Sequence, residues 1–143
     1  MQHHSCEKPQ LICVAPHLVD AVWPHAVALI DSALRRSDSD LTAAHIKAKI
    51  DAGRSYLWII WNGSLLGSGT TEVVRLENGR RICVITTCAG RDHHIWERVL
   101  DDIERYARNE GCDAVRFHGR MGWVRRLKHR GYAQPYVIVE RKL

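Results

Sequence analysis

Two Asn-Gly pairs, Asn62-Gly63 and Asn78-Gly79, lie between runs of β-forming residues and constrain the fold more than any other feature of the chain. Asn-Gly supplies the two positive-φ residues that a tight hairpin turn requires, so it predicts antiparallel pairing of the segments on either side. The first segment is Tyr56-Leu57-Trp58-Ile59-Ile60-Trp61, the second runs from Leu65 to Leu76, and the third is Arg81-Ile82-Cys83-Val84-Ile85-Thr86-Thr87. Gly67 and Gly69 leave room in the second strand for a bulge or a close neighbour. The third strand is apolar on both faces, as a central strand covered on both sides should be. Trp58 and Trp61 differ in strand parity, so one faces the core and the other a helix or a partner.

Helical patterns flank this meander. Leu11-Ile12-Cys13-Val14 reads as a first strand ending before Pro16. From His17 to Arg36, Val19, Val22, Ala26, Leu29, Ile30, Ala33 and Leu34 recur at helical spacing. Pro24 is expected to break this segment or to begin its main helix. Ser37-Asp38-Ser39-Asp40 is a linker rich in capping residues, and a second helix from Leu41 to Ala52 stops at Gly53. After the third hairpin strand, Asp92 can cap a helix reaching Asn109, with Trp96, Val99, Leu100, Ile103, Tyr106 and Ala107 forming one stripe. A strand over Asp113–His118, a short basic helix over Gly122–Arg130 and a final strand over Tyr136–Glu140 complete the reading. The order is β-α-α-β-β-β-α-β-α-β, a mixed-sheet α/β domain spanning residues 1–143, with residues 1–9 expected to be flexible.

A chain of 143 residues can bury one core without staples. Its 45% apolar and 26% charged residues are ordinary for a globular domain, and no apolar run approaches the roughly 18 residues that span a membrane. The first residues lack a signal-peptide pattern, so the expected location is the cytoplasm. Cys6, Cys13, Cys83, Cys88 and Cys112 form an odd set without CxxC spacing and read as reduced thiols, Cys13 and Cys83 as core residues. Charge is uneven. Residues 114–143 hold eight basic side chains against Glu140 alone, a net of +7, which leaves −2 for the first 113 residues out of an overall +5. Such a quarter suits an anionic partner, whether a phosphorylated cofactor, nucleic acid or an acidic protein surface, or forms a solvated face.

The segment Thr87-Cys88-Ala89-Gly90-Arg91-Asp92-His93-His94-Ile95-Trp96-Glu97 leaves a buried strand, turns at a glycine and enters an amphipathic helix. Backbone amides and the positive end of a helix dipole in such a turn suit a phosphate. Asp92-His93-His94 is not read as a metal site, because adjacent helical histidines diverge by about 100° and no second ligand cluster is evident.

The element order, the length and the closing stretch Trp123-Val124-Arg125-Arg126-Leu127-Lys128-His129-Arg130-Gly131-Tyr132 resemble the GNAT superfamily of N-acetyltransferases across essentially the whole chain. The overall pattern is also similar to short GNAT-like proteins encoded in phage and prophage genomes. The resemblance implies a pyrophosphate loop of the form Gln/Arg-x-x-Gly-x-Gly/Ala after the fourth strand. It also implies acetyl-coenzyme A with its pantetheine arm between splayed fourth and fifth strands. Gly90 falls on the first glycine of that loop, Thr87 stands in place of Gln or Arg, and Asp92 in place of Gly or Ala. A carboxylate there repels a pyrophosphate by roughly 4 kcal/mol at 4 Å and an effective dielectric of 20, which Arg91, His93 and His94 can offset. Many members carry a tyrosine four residues before the Gly-aromatic pair as proton donor to the departing thiolate. That position is Leu127 here, and Tyr136 is the nearby tyrosine read as its substitute.

On this reading Thr86, Thr87, Cys88, Gly90, Arg91, His93 and His94 would hold the cofactor's pantetheine and pyrophosphate, and Arg125 or Arg126 would meet its 3′-phosphate. His118, at the end of the strand after the loop helix, is the candidate base, or a structural histidine. Glu72 is a second candidate base or a solvent-facing carboxylate. Trp123, among arginines, reads as core or as a stacking platform. Three functions compete. The first is an acyl-coenzyme A-dependent N-acetyltransferase acting on an amine acceptor. The second is a catalytically degenerate GNAT-fold protein binding another protein through its basic C-terminal region, within a phage particle or host cytoplasm. The third, nucleic-acid binding, ranks last because no recognised motif for it appears.

Overall fold

A computed structural model describes residues 8–37, 39–92, 94–119 and 121–143. Cys6, Asp38 of the linker, His93 of the loop and Arg120 of the basic quarter lie outside the described residues, as do the first seven positions. Five strands, β1 (Gln10–Cys13), β2 (Tyr56–Trp61), β3 (Leu65–Arg75), β4 (Arg81–Gly90) and β5 (Ala114–Phe117), form one sheet in the order 1-2-3-4-5. The first three pairings are antiparallel and β4–β5 is parallel. The helices are α1 (Val19–Arg36), α2 (Ala43–Asp51), α3 (Ile95–Asn109) and α4 (Gly122–Leu127). No described helix is long and apolar enough to cross a membrane.

Both Asn-Gly pairs form the predicted turns, with φ of 101° at Gly63 and 88° at Gly79. Strand parity then divides the chain between two cores. Leu57 joins Val14, Ala26, Ile30, Leu34, Ile46 and Ile50 beneath α1 and α2, with Ile59 packed against them. Trp58 and Ile60 point the other way and meet Ile85, Ile95, Trp96, Val99, Leu100, Ile103 and Leu127 beneath α3. Trp58 is buried and Trp61 is 41% exposed, as their opposite parity requires. α2 starts at a reciprocal cap: the His45 amide donates to Thr42 Oγ1 at 3.2 Å, and the Thr42 amide donates to His45 Nδ1 at 3.1 Å.

Several expectations need correction. Pro24 lies inside a continuous α1 rather than breaking or beginning it, and removes the amide that would donate to the Asp20 carbonyl. Cys13 is exposed because β1 is an edge strand, whereas Cys83 is fully buried and burial pushes its thiol up to about 12. β4 does not stop at Thr87 but runs on to Gly90, and α3 begins at Ile95 rather than Asp92. The final strand Tyr136–Glu140 does not form. Those residues carry no regular structure, and Val137, Ile138 and Val139 are 62–91% exposed. Pro135 removes a ladder donor at the start of that segment, and strand formers gain their preference from packing that this tail does not make.

Candidate functional site

The site arises where β4 outlasts β5. Parallel pairing ends at Ile85↔Phe117, closed by the His118 amide donating to the Ile85 carbonyl at 3.0 Å. Beyond it β4 continues for five residues, Thr86 to Gly90, with β3 on one side and a cleft on the other. A bulge drives the separation. Thr71 pairs with Ile85 and Thr70 with Thr87, so Thr86 is an extra residue that bends β4 away from β5. Thr70 Oγ1 lies 2.6 Å from Thr86 Oγ1 and 2.8 Å from Thr87 Oγ1, which ties the bulge to the buried Thr70 side chain.

Thr86, Thr87, Cys88, Ala89 and Gly90 form one wall of the cleft, and His118 and Gly119 form the opposite one. Ala33, Arg36 and Ser37 of α1 and its following turn border one mouth, while Asp92, Trp96, Trp123 and Arg126 border the other. Trp123 stacks on Phe117 with ring centroids 5.0 Å apart and planes at 23°, and the Arg126 guanidinium sits 4.7 Å from the Trp123 ring. Arg126 Nε donates to Glu97 Oε1 at 2.8 Å. Its Nη2 is buried without a hydrogen-bond partner among the described residues. Glu97 also pairs with His94 Nδ1 at 3.4 Å. Burial raises the Glu97 pKa, but the hydrogen bond and charge of Arg126, with His94, more than reverse this and hold the carboxyl below its ordinary value.

Thr86, Thr87, Cys88, Gly90, His118 and Arg126 are therefore brought together as read from the sequence. Gly90 has a packing role that the loop pattern did not suggest: an added Cβ would lie 2.3 Å from Ile95 Cγ2, so the space above it is already filled. Arg91 is exposed beside this wall, its amide donating to the Leu66 carbonyl at 2.9 Å. The Asp92 carboxylate accepts the His94 amide at 2.9 Å, a turn preceding the helix rather than its cap. His94 is largely exposed at the start of α3, and His93 lies outside the described residues. Arg125 is exposed and does not line the cleft.

Neither Glu72 nor Tyr136 lines it. The Glu72 carboxylate accepts from Lys49 Nζ at 3.1 Å, and the Tyr136 ring lies 5.8 Å from the Arg116 guanidinium. Leu127, where the resemblance expects a tyrosine, is buried in the α3 core, and the Tyr132 hydroxyl donates to Glu104 at 2.8 Å. Burial first, and the charge of Arg116 second, push the His118 imidazole below its ordinary pKa of 6.5, with Glu72 opposing. It is consequently neutral at pH 7, the form that accepts a proton.

Sequence reading missed the α1 contribution of Ala33, Arg36 and Ser37, because helix periodicity does not say which end of a helix meets a sheet opening. It also overstated the basic quarter, since Arg126 pairs with Glu97, and Arg130 with Asp101 and Glu104 on α3.

No family model matches this sequence, and no curated protein matches it. Solved structures do. A putative acetyl transferase from Pyrococcus furiosus superposes with a TM-score of 0.68 at 13% identity, covering 94% of this chain and 99% of that one. A predicted acetyltransferase from Clostridium acetobutylicum, solved with acetyl-CoA, gives 0.66 at 10% identity over 94% and 96%. An aminoglycoside acetyltransferase from an uncultured soil metagenomic sample gives 0.67 at 11% identity over 95% and 97%. At such identities the likeness is one of backbone architecture, and it extends over nearly the whole of each chain. The single α/β domain described above, with its five-stranded mixed sheet and four helices, has the GNAT acetyltransferase fold.

Proposed function

We propose that the protein is an acyl-coenzyme A-dependent N-acetyltransferase using acetyl-CoA. The observation that carries this reading is the opening of the sheet after Ile85 and Phe117, walled by five residues of β4 and by His118. The donor set fits a long, polar, phosphate-tipped cofactor. The edge of β4 facing the cleft offers peptide groups to an amide-bearing arm, and Arg126 in the cleft lining and the exposed Arg91 offer positive charge. Acetyl-CoA supplies an activated thioester acyl group. His118 removes a proton from the incoming ammonium group so that the free amine becomes nucleophilic, and the two walls of the cleft hold the reacting groups in register. No tyrosine lines the cleft among the described residues, and a thiolate is a tolerable leaving group without one.

Calorimetric titration of acetyl-CoA tests the reading. Wild-type protein is expected to bind within the range of about 1 µM to 1 mM usual for enzyme substrates. Arg91→Glu, at an exposed position, is expected to weaken binding by about tenfold through reversal of a phosphate-facing charge. Absence of heat at several times the upper limit overturns the proposal.

A pH profile tests the role of His118. Its depressed pKa places the rise of kcat/KM with pH below 6.5, since protonation, favoured as pH falls, removes the base. His118→Asn is expected to abolish that inflection. An unchanged profile would assign proton removal to another group.

A further inference from the structure

Register places Glu72, Val84 and Arg116 in one row across β3, β4 and β5, on the sheet face covered by α1 and α2. His118, two residues beyond Arg116, shares that face. Lys49 reaches the row from α2 and occupies the Glu72 carboxylate at 3.1 Å. Arg36, the last residue of α1, lines the same cleft as His118. Neither Arg36 nor Arg116 has a carboxylate partner among the described residues. Arg116 lies over the face of the Tyr136 ring, and Arg36 is exposed. Among the described residues, the groups around His118 on this side are thus Arg36, Lys49 and Arg116 against Glu72, an excess of two positive charges. Asp92 lies at the opposite mouth, already accepting the His94 amide. A polycationic amine would meet repulsion here and, among the described residues, no uncommitted carboxylate.

We propose that the acceptor is an amine that also bears an anionic group, a carboxylate or a phosphate, bound by Arg36 and Arg116 beside His118. This rests on the transferase reading and narrows its substrate class. Recognition by guanidinium groups is common to both anions, because each offers paired oxygens to the planar donor fork.

Paired acceptors in an acetyl-CoA-dependent assay decide the matter: glycine against glycinamide, O-phosphoethanolamine against ethanolamine, and spermidine as a polycation. The anionic member of at least one pair is expected to have a kcat/KM higher by about tenfold, the effect of one charge-assisted hydrogen bond. The pair showing the preference tells carboxylate from phosphate. Arg116→Gln is expected to erase most of the ratio and Arg116→Lys to retain part of it, whereas a general loss of structure would lower both members alike. Equal use of neutral amines, or preference for spermidine, overturns the proposal.

If acetyl-CoA binds but no amine is acetylated, glycine and O-phosphoethanolamine are titrated while the His118 ring resonances are followed by NMR. Saturable shifts lost in Arg116→Gln support the anion site, and their absence overturns it. If acetyl-CoA does not bind, the transferase reading fails, and the same titration judges the anion site independently.

Discussion

Trp96→Ala is expected to lower stability by about 4 kcal/mol, the range for deleting a large buried aromatic. Trp96 is 2% exposed within the α3 core, and its indole N–H donates to the Ala89 carbonyl at 3.2 Å. Truncation therefore opens a cavity and removes the indole's hydrogen bond to the strand. The ring lies against β3 at Gly69, where an added Cβ would come within 2.5 Å of its Cζ2 and 2.6 Å of the Thr87 carbonyl oxygen. Gly69→Ala alone should then destabilise by about 3 kcal/mol through overpacking. Combined with Trp96→Ala it should be milder, because the indole clash is gone while the Thr87 carbonyl remains. Urea denaturation of the four proteins measures this as midpoint shifts at constant slope. Strict additivity within about 0.5 kcal/mol would show that the two positions are not coupled as their contact requires.

Arg126→Met should lower stability by about 2 kcal/mol at pH 7, between the values for exposed and fully buried ion pairs. Both partners are mostly buried, with 23% of the Arg126 and 24% of the Glu97 side chain exposed. Methionine preserves apolar contact with Trp123 but removes the guanidinium over its ring and the hydrogen bond to Glu97. The effect has a defined pH dependence. The folded-state pKa of Glu97 lies below its ordinary 4.5, so its contribution is fully present above 4.5 and is lost as pH falls through the folded-state value. The difference between wild type and Arg126→Met should shrink over that acid range. Denaturant midpoints at pH 7 and at successive steps below 4.5 measure it, and a pH-independent difference would mean that packing on Trp123 dominates. Arg126→Lys is not an equivalent control, since an ammonium cannot reproduce the Nε hydrogen bond and the planar stack together.

How much of this was legible in the amino-acid sequence varies with the range of the interaction. Helix stripes and strand parity depend on local period, and the opposite facing of Trp58 and Trp61 and the burial of Trp96 followed from it. The length of β4 did not. Cys88, Ala89 and Gly90 resemble a loop by composition, yet they pair with Gly69, Ser68 and Gly67 because β3 supplies a partner edge there. The opposite error occurred at Tyr136–Glu140, where strand-forming side chains found no ladder. Among the site residues, Thr86 through Gly90 and His118 were accessible from their order along the chain. The α1 wall and the pairing of Lys49 with Glu72 were not, since residues 23 positions apart meet only after two helices have packed on the sheet.

The sequence by itself determined the class of fold. Two Asn-Gly turns dictate a three-stranded meander, and helical stripes on either side dictate a sheet covered on both faces, because both are set by backbone conformation and side-chain period. Tertiary structure decided where that sheet opens and what stands at the opening. The bulge at Thr86, the early end of β5 and the charges gathered around His118 are properties of register between distant segments, and register emerges only when the strands pair.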